Sequence, residues 1–405
     1  MKQDFLNYIK KEFDFSDEEM TQFEKACIMP LKKSIRVNTN KISIEDFKKT
    51  ALKNNWQLTE TSLGSNTFYI DRFDDLDTAL GNTQEHQKGY FYVQELAASS
   101  SPYYMSGDKV DHSQYVILDM SASPGGKTTQ LSEYYPDSII VANEINKERF
   151  KGLFFNLDRM GVLNVVCTNY DGRFFKETPE LFDKVLLDAP CSGEGTAYKT
   201  DDSLKYRNIK NIKSISKLQL SLIDSAVKTL KVGGELVYST CTLNKLENEG
   251  VVEAILERYK DSLEIIPDYI RSWPHITHTG GFFVAKIKKI KSIVEQEKKA
   301  IYSRNSMFDV KMEKKNRFSQ VNKDVVQNYE KLSSKDTKII EKYIDDNYNF
   351  QIQSKKFYRY KDDIFITDMD ISDLRKKLFM YKIGVNIGKY KNNEFVPSDY
   401  LESLR

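Results

Sequence analysis

The sequence carries only four cysteines, nine prolines and two tryptophans in 405 residues, a formal net charge of just +2, and no apolar run long enough to cross a membrane. Each scarcity excludes something. Cys27, Cys167, Cys191 and Cys241 are too few and too irregularly spaced for a disulfide framework or a zinc cluster, so reduced thiols and no metal are expected. Because 61 Lys and Arg nearly balance 59 Asp and Glu, a polyanionic partner has to be met by a local patch, not by bulk charge. The first residues, MKQDFLNYIKKEF, place Asp4 where a secretory leader needs uninterrupted apolar residues, which makes a cytoplasmic, membrane-free protein the expectation. No internal repeat is visible, and the length predicts two or three domains.

What is present is a central alternation of short apolar runs and helix-length segments. VILDM (116–120), IIVAN (139–143), NVVC (164–167), KVLLD (184–188) and ELVYS (235–239) are rich in β-branched residues and do not alternate with polar ones, as strands buried on both faces should read. Helices are predicted over Thr128 to Tyr135, Lys147 to Met160, Ile212 to Leu230 (ended by Gly233 and Gly234) and Leu246 to Tyr259. LEII (263–266) and GFFVAKI (281–287) bring the count to seven strands. The prediction is an α/β, Rossmann-like, doubly wound sheet, and composition alone equally allows any nucleotide-binding domain of that kind.

Residues 1–95 read as a separate amino-terminal α/β subdomain, 96–288 as the central domain, 289–335 as a basic linker, and 336–405 as a small β-rich domain. The stretch 286–317 holds eleven Lys or Arg against four acids. FYRY, IFITDM and LFMYKIGVNIG carry the strand-like character of the tail.

LDMSASPGGKTTQL sets a strand, a small-residue loop and a helix start in succession, aiming backbone amides at a ligand over the strand ends. It is not a phosphate-binding P-loop, because that motif needs glycine where Ser121 stands. Glu144, just after the second strand, is placed to accept the hydroxyls of a nucleoside ribose. Asp171, in NYDGR after the third, is a candidate acceptor for an adenine amino group. Alone, either would be an ordinary loop acid; for Glu144 the spacing after the glycine loop argues otherwise.

Strands four and five run into LLDAPCSGEG (186–195) and YSTCTLNKLENE (238–249), delivering Cys191 and Cys241 to one sheet edge. Cys27 and Cys167 lie in apolar settings where a thiol acts as a small hydrophobe. Cys191 and Cys241 sit in polar loops where packing gives a thiol no purpose.

DMSASPGGKT, DAPCSGEG and STCTLNKLENE, in that order, resemble the signatures of the Nop/Sun family of RNA cytosine-5 methyltransferases. PLKKSIRVNT, GYFYVQELAAS and WPHITHTGGFFVAKI resemble its bacterial ribosomal members, and the tail resembles the PUA-like RNA-binding appendage of some of them. The resemblance implies a seven-stranded S-adenosylmethionine-dependent methyltransferase fold, with Ser121, Ala122, Ser123, Pro124, Gly125, Gly126, Lys127, Glu144, Arg149, Asp171 and Asp188 lining the cofactor site. The chain departs from many members in reading Ser121–Ala122–Ser123 where they carry a cysteine or a second alanine; both serines are small.

The chemistry sets its own requirements. Carbon 5 of cytosine is a poor nucleophile until a thiolate adds to carbon 6 and turns the ring into an enamine. Asp188, beside Ala189–Pro190, is the acid available to the ring nitrogen. Chemistry leaves open which thiol attacks; the resemblance implies Cys241, with Cys191 assisting product release. Asn248 and Glu249 are expected to anchor the catalytic loop, and Lys127 to orient the cofactor or Asp188.

The target cytosine has to be unpaired or flipped. The stretch 286–317 with Lys32, Lys33 and Arg36 offers phosphate contacts, and Phe91, Tyr92 and Phe282 offer stacking surfaces, although such charges are more often solvated and such aromatics more often core. His275 and His278 read as loop residues near the RNA face. The expected partner is ribosomal RNA, bound by a monomer. Transfer RNA is the alternative substrate. A non-catalytic assembly factor is the alternative function, against which Cys191, Cys241 and Asp188 argue.

Overall fold

The computed structural model describes residues 3–74, 77–199, 209–293, 329–348, 352, 355–401 and 404. The chain opens with two helices, α1 (Gln3–Phe13) and α2 (Asp17–Ile28), the second started by a reciprocal capping box between Ser16 and Glu19. Strands β1 (Ser34–Val37), β2 (Trp56–Glu60), β3 (Thr67–Arg72) and β4 (Phe91–Val93) follow, interrupted by α3 (Ile44–Lys53) and α4 (Gln84–Gln87). They form an antiparallel sheet in the order β2-β3-β1-β4 with a core of Ile35, Val37, Phe47, Trp56, Phe68 and Phe91. The two opening helices do not join that core. Their apolar faces (Phe5, Ile9, Phe23, Cys27) pack with Ala197 and Leu243 of the central unit.

The central unit starts with α5 (Leu96–Ser106) and then alternates β5 (Val116–Asp119), α6 (Gly126–Tyr134), β6 (Ile139–Asn143), α7 (Lys147–Met160), β7 (Val165–Thr168), β8 (Phe182–Asp188), α8 (Ile209–Thr229) and β9 (Leu230–Thr240). After α9 (Glu249–Arg258), β10 (Leu263–Ser272), the short α10 (Pro274–Thr277) and β11 (Phe282–Lys289) close the series. β5 to β9 are mutually parallel; β11 runs antiparallel between β9 and β10. Because β5 pairs with β8 on one side and β6 on the other, chain direction switches there, which opens a crevice over the strand ends.

Two expectations change. Gly233 and Gly234 do not end α8; they lie inside β9, which starts directly after the helix and carries a register shift there against β8. The helix expected from Leu246 begins only at Glu249, because Lys245 to Asn248 are engaged in loop hydrogen bonds. All seven expected strands are in the sheet, and an eighth, β15 (Lys382–Ile383), extends it to the order β10-β11-β9-β8-β5-β6-β7-β15.

The extra strand comes from the tail. There, β12 (Glu330–Lys331), α11 (Ser334–Asn347), β13 (Lys356–Tyr360), β14 (Asp363–Thr367), β15 (Lys382–Ile383), β16 (Val385–Lys391) and β17 (Glu394–Pro397) follow one another. Five of these strands make an antiparallel sheet in the order β12-β13-β14-β16-β17, and β15 leaves it to pair with β7. Fully buried β7 would otherwise expose an unpaired edge, and backbone bonds Tyr381 N–H to Cys167 O (2.7 Å) and Gly384 N–H to Val165 O (2.8 Å) remove it. Gly384, with φ 50°, turns the chain from one sheet to the other; a Cβ there would stand 1.9 Å from the Ile366 carbonyl oxygen. Ile371, Leu374, Leu378, Phe379, Met380 and Ile383 share one core with Val166, Tyr170 and Phe175. Of the basic stretch, Lys286, Lys288 and Lys289 belong to β11, and Lys289 is fully buried on the Leu230 carbonyl. Residues 294–328, which carry most of the expected linker, lie outside the described residues.

Candidate active site

The loops after β5, β6, β8 and β9, with the turn after β7, enclose a cleft of about 400 Å³ lined by Ser121, Ser123, Glu144, Arg149, Asp171, Asp188, Cys191 and Cys241 among others. At its rim the two cysteine sulfurs lie 3.2 Å apart and share a hydrogen bond. That bond, and then burial, hold the Cys191 thiol well above the ordinary range. Cys27 and Cys167 are buried among apolar groups far from any such partner, and burial pushes each thiol up to about 12.

Asp188 is held at both oxygens: Lys127 Nζ donates to Oδ2 at 2.9 Å and Ser239 Oγ to Oδ1 at 2.9 Å. Behind it lies Asp119, fully buried and bonded to Thr128 Oγ1 at 2.7 Å; burial raises its carboxyl to about 6. Glu144 is almost wholly buried. Its Oε1 accepts the Asn146 N–H at 2.8 Å, while Oε2 lies 3.3 Å from Arg149 Nη1 but accepts no hydrogen bond from any described residue. An orphaned carboxylate oxygen at the end of β6 fits the hydroxyls of a nucleoside ribose. Asp171 takes the Arg173 side chain on both oxygens; burial alone would raise its carboxyl, but the guanidinium brings it below the usual range.

The glycine loop places only part of itself at the cleft. Ser121 and Ser123 line it, whereas Ala122 is buried and Pro124, Gly125, Gly126 and Lys127 do not form its wall. Gly126 instead admits the Tyr92 ring, 3.0 Å from where a Cβ would stand. Asn143, Ile145, Arg173, Leu218 and Leu222 line the cleft without having been singled out. Arg173 was detectable as a cation two residues from Asp171; the leucines of α8 look like any buried helix face.

The loop that carries Cys241 is anchored through Asn248 and Glu249. Asn248 accepts from Thr240 Oγ1 at 2.5 Å and donates to the Thr242 carbonyl at 3.1 Å, and Glu249 takes Arg271, which also reaches the Leu243 carbonyl at 2.7 Å.

Several expected RNA contacts are not on the surface. Arg36 is fully buried, paired with Glu133 and bonded to Thr129 Oγ1 at 2.6 Å, so it joins the amino-terminal sheet to α6 and cannot meet a phosphate. Phe91, Tyr92 and Phe282 are likewise buried: Phe91 in the small sheet's core, Tyr92 against Gly126, and Phe282 beneath Lys127. Lys32 and Lys33 are exposed. His275 packs against Phe15, in the turn between the opening helices, and Phe23 of α2, and His278 is the left-handed residue ending α10. Among the described residues no group of acids, histidines and cysteines could hold a metal ion, and no helix is long and apolar enough to cross a membrane.

Comparison with known proteins gives the same picture from outside. The family described as 16S rRNA methyltransferase RsmB/F matches residues 109–288, and the N-terminal domain of 16S rRNA methyltransferase RsmF matches residues 1–96. Ribosomal RNA small subunit methyltransferase F of Shewanella piezotolerans is 41% identical over 308 residues, covering 72% of this chain but 64% of that relative, just under two thirds of its length. The protein of the same name from Shewanella sp. strain MR-7 is 34% identical over 412 residues, 98% of this chain and 80% of its own. Among solved structures, a methyltransferase homologue from Pyrococcus horikoshii shares 30% identity at a TM-score of 0.59, covering 71% of this chain and all of that one (100%). NSun6 from the same organism, with SFG, shares 25% identity at 0.63 over 72% of this chain and 99% of its own.

Proposed function

Since the chain belongs to the RsmB/F family of S-adenosylmethionine-dependent 16S rRNA methyltransferases, we propose that it makes 5-methylcytosine in 16S ribosomal RNA through a covalent cysteine adduct. The observation that carries this reading is the pair of sulfurs 3.2 Å apart on a cleft that also holds the half-satisfied Glu144.

When bound, S-adenosylmethionine supplies an electrophilic methyl group. Glu144 would take its ribose hydroxyls and Asp171 its adenine amino group, with Ser121, Ser123 and Arg149 around them. Cys241 adds through its sulfur to carbon 6 of the cytosine, its thiol proton passing by way of Asp188 to the ring nitrogen as the enamine forms. Lys127 and Ser239 keep the Asp188 carboxylate turned toward the ring. After carbon 5 has taken the methyl group and lost its proton to a base, the bond between Cys241 sulfur and carbon 6 breaks and the aromatic ring returns. Cys191, whose thiol that hydrogen bond and burial hold above the ordinary range, is the group beside Cys241 for that release.

Bisulfite sequencing of 16S rRNA from cells with and without the protein tests the reading. One cytosine should lose its protection in the deletion strain and regain it on complementation by the parent but not by Cys241→Ala. An unchanged protection pattern would reject the activity.

A further inference from the structure

Beneath the two thiols lies a polar cluster that the proposed chemistry does not call on. Ser192, Glu194, Gln219, Thr242, Asn244 and Glu247 are each at most 4% exposed. Glu194, on the Cys191 loop, reaches across to the other loop: its Oε2 accepts the Leu243 N–H at 3.0 Å and the Thr242 hydroxyl. Glu247, beyond Cys241, reaches back: its Oε2 accepts the Ser192 N–H at 2.9 Å and the Gln219 amide at 2.8 Å. Thr242 directly follows Cys241, and Ser192 directly follows Cys191. Each glutamate therefore holds the residue next to the opposite cysteine.

Asn244 joins the two. Its Nδ2 is 3.1 Å from both Glu194 oxygens and 2.8 Å from Glu247 Oε1. Among the described residues no lysine or arginine pairs with either carboxylate. Buried acids facing each other without a cation weaken a fold unless their hydrogen bonds fix something that matters. What they span is the gap between the two thiol-bearing loops, which also meet through the sulfur contact, a backbone bond from Gly195 N–H to the Cys241 carbonyl (3.0 Å) and a hydroxyl contact between Ser192 and Thr242 (2.8 Å).

We propose that Glu194 and Glu247, bridged by Asn244, form a reciprocal clasp that sets the separation of Cys191 and Cys241 and so governs release of the covalent adduct. Both are positioning residues, and the inference rests on the two-thiol reading above. A drift of about 1 Å would break the contact between the sulfurs, while leaving each thiol able to react alone.

Glu194→Gln and Glu247→Gln preserve volume but put an NH2 donor where a carboxylate oxygen accepts, facing donors it cannot satisfy. A trivalent phenylarsenical bridges neighbouring thiols and reads their separation in the folded protein without RNA or cofactor. The parent should bind it stoichiometrically and Cys191→Ala should not. The two glutamine variants should bind it at least roughly tenfold more weakly, the scale of a lost charge-assisted hydrogen bond, while iodoacetamide still alkylates Cys241 at the parental rate. In turnover, their kcat should fall more than their KM for RNA, and a covalent protein–RNA band should accumulate. Parental arsenical affinity and kcat in both variants would overturn the clasp, as would a parent that fails to take up the arsenical. If either variant does not fold, Thr242→Val, which deletes one bond to Glu194, replaces it with the same readouts. Weakened arsenical binding in the variants of a parent that methylates no RNA would leave the clasp standing and reject the function instead.

Discussion

Lys127 Nζ stands 2.9 Å from Asp188 Oδ2, joining the start of α6 to the end of β8 beneath the cleft. Burial alone would discharge this lysine, but Asp188, Asp119 and Cys241 hold its pKa above the ordinary lysine range. It remains an ammonium, and Asp188 remains oriented by it.

Lys127→Met keeps the length and removes the charge. Methyl transfer at saturating cofactor and RNA should fall roughly 100-fold, the scale of one lost preorganised donor. Tritiated-methyl incorporation measures it, with circular dichroism to show that the fold persists; activity within about threefold of the parent would remove Asp188 orientation from the mechanism.

The two thiols should fail in different ways. Cys241→Ala should abolish methylation while cofactor affinity, measured by calorimetry, stays near the parental value. Cys191→Ala should instead accumulate a protein–RNA species that survives denaturing electrophoresis. A Cys191→Ala enzyme that turns over without a shifted band would take the release role away from Cys191.

Asp119 gives a pH dependence with a definite sign. Its folded carboxyl is raised to about 6 by burial, so the native state binds that proton more tightly than the unfolded chain. The stability it contributes is complete below the unfolded value near 4 and is lost as pH rises through about 6, on the order of 2–3 kcal/mol in all. Asp119→Asn cannot ionise. Its urea-unfolding free energy should gain on the parent between pH 4 and pH 7, and a constant difference across that range would show that Asp119 does not titrate in it.

The first of these predictions was partly legible in the sequence, the last not at all. Buried parallel strands are unbroken runs of β-branched residues, so their ends, and the polar loops holding Cys191, Cys241, Glu144 and Asp188, stood out by contrast. Arg36 did not. Beside Lys32 and Lys33 it looks like part of a basic patch, and its partner Glu133 lies 97 residues away with no local pattern linking them. Glu194 and Glu247 look like solvated loop acids for the same reason. β15 is two residues long, and only the open edge of β7 makes it a strand.

Gly384→Ala tests that edge. At φ 50°, with the Ile366 carbonyl oxygen 1.9 Å from a new methyl carbon, the substitution should cost about 2–4 kcal/mol in equilibrium unfolding. A parental midpoint would mean that the turn relaxes freely.

Because the chain steps directly from the catalytic sheet to the carboxyl-terminal one at that glycine, the two sheets meet there at a welded corner instead of a swivel. The appendage is then less a tethered accessory than a bracket: the angle at which it stands to the thiols is written into the backbone, and grafting a different appendage onto this body would first require a new wall for β7.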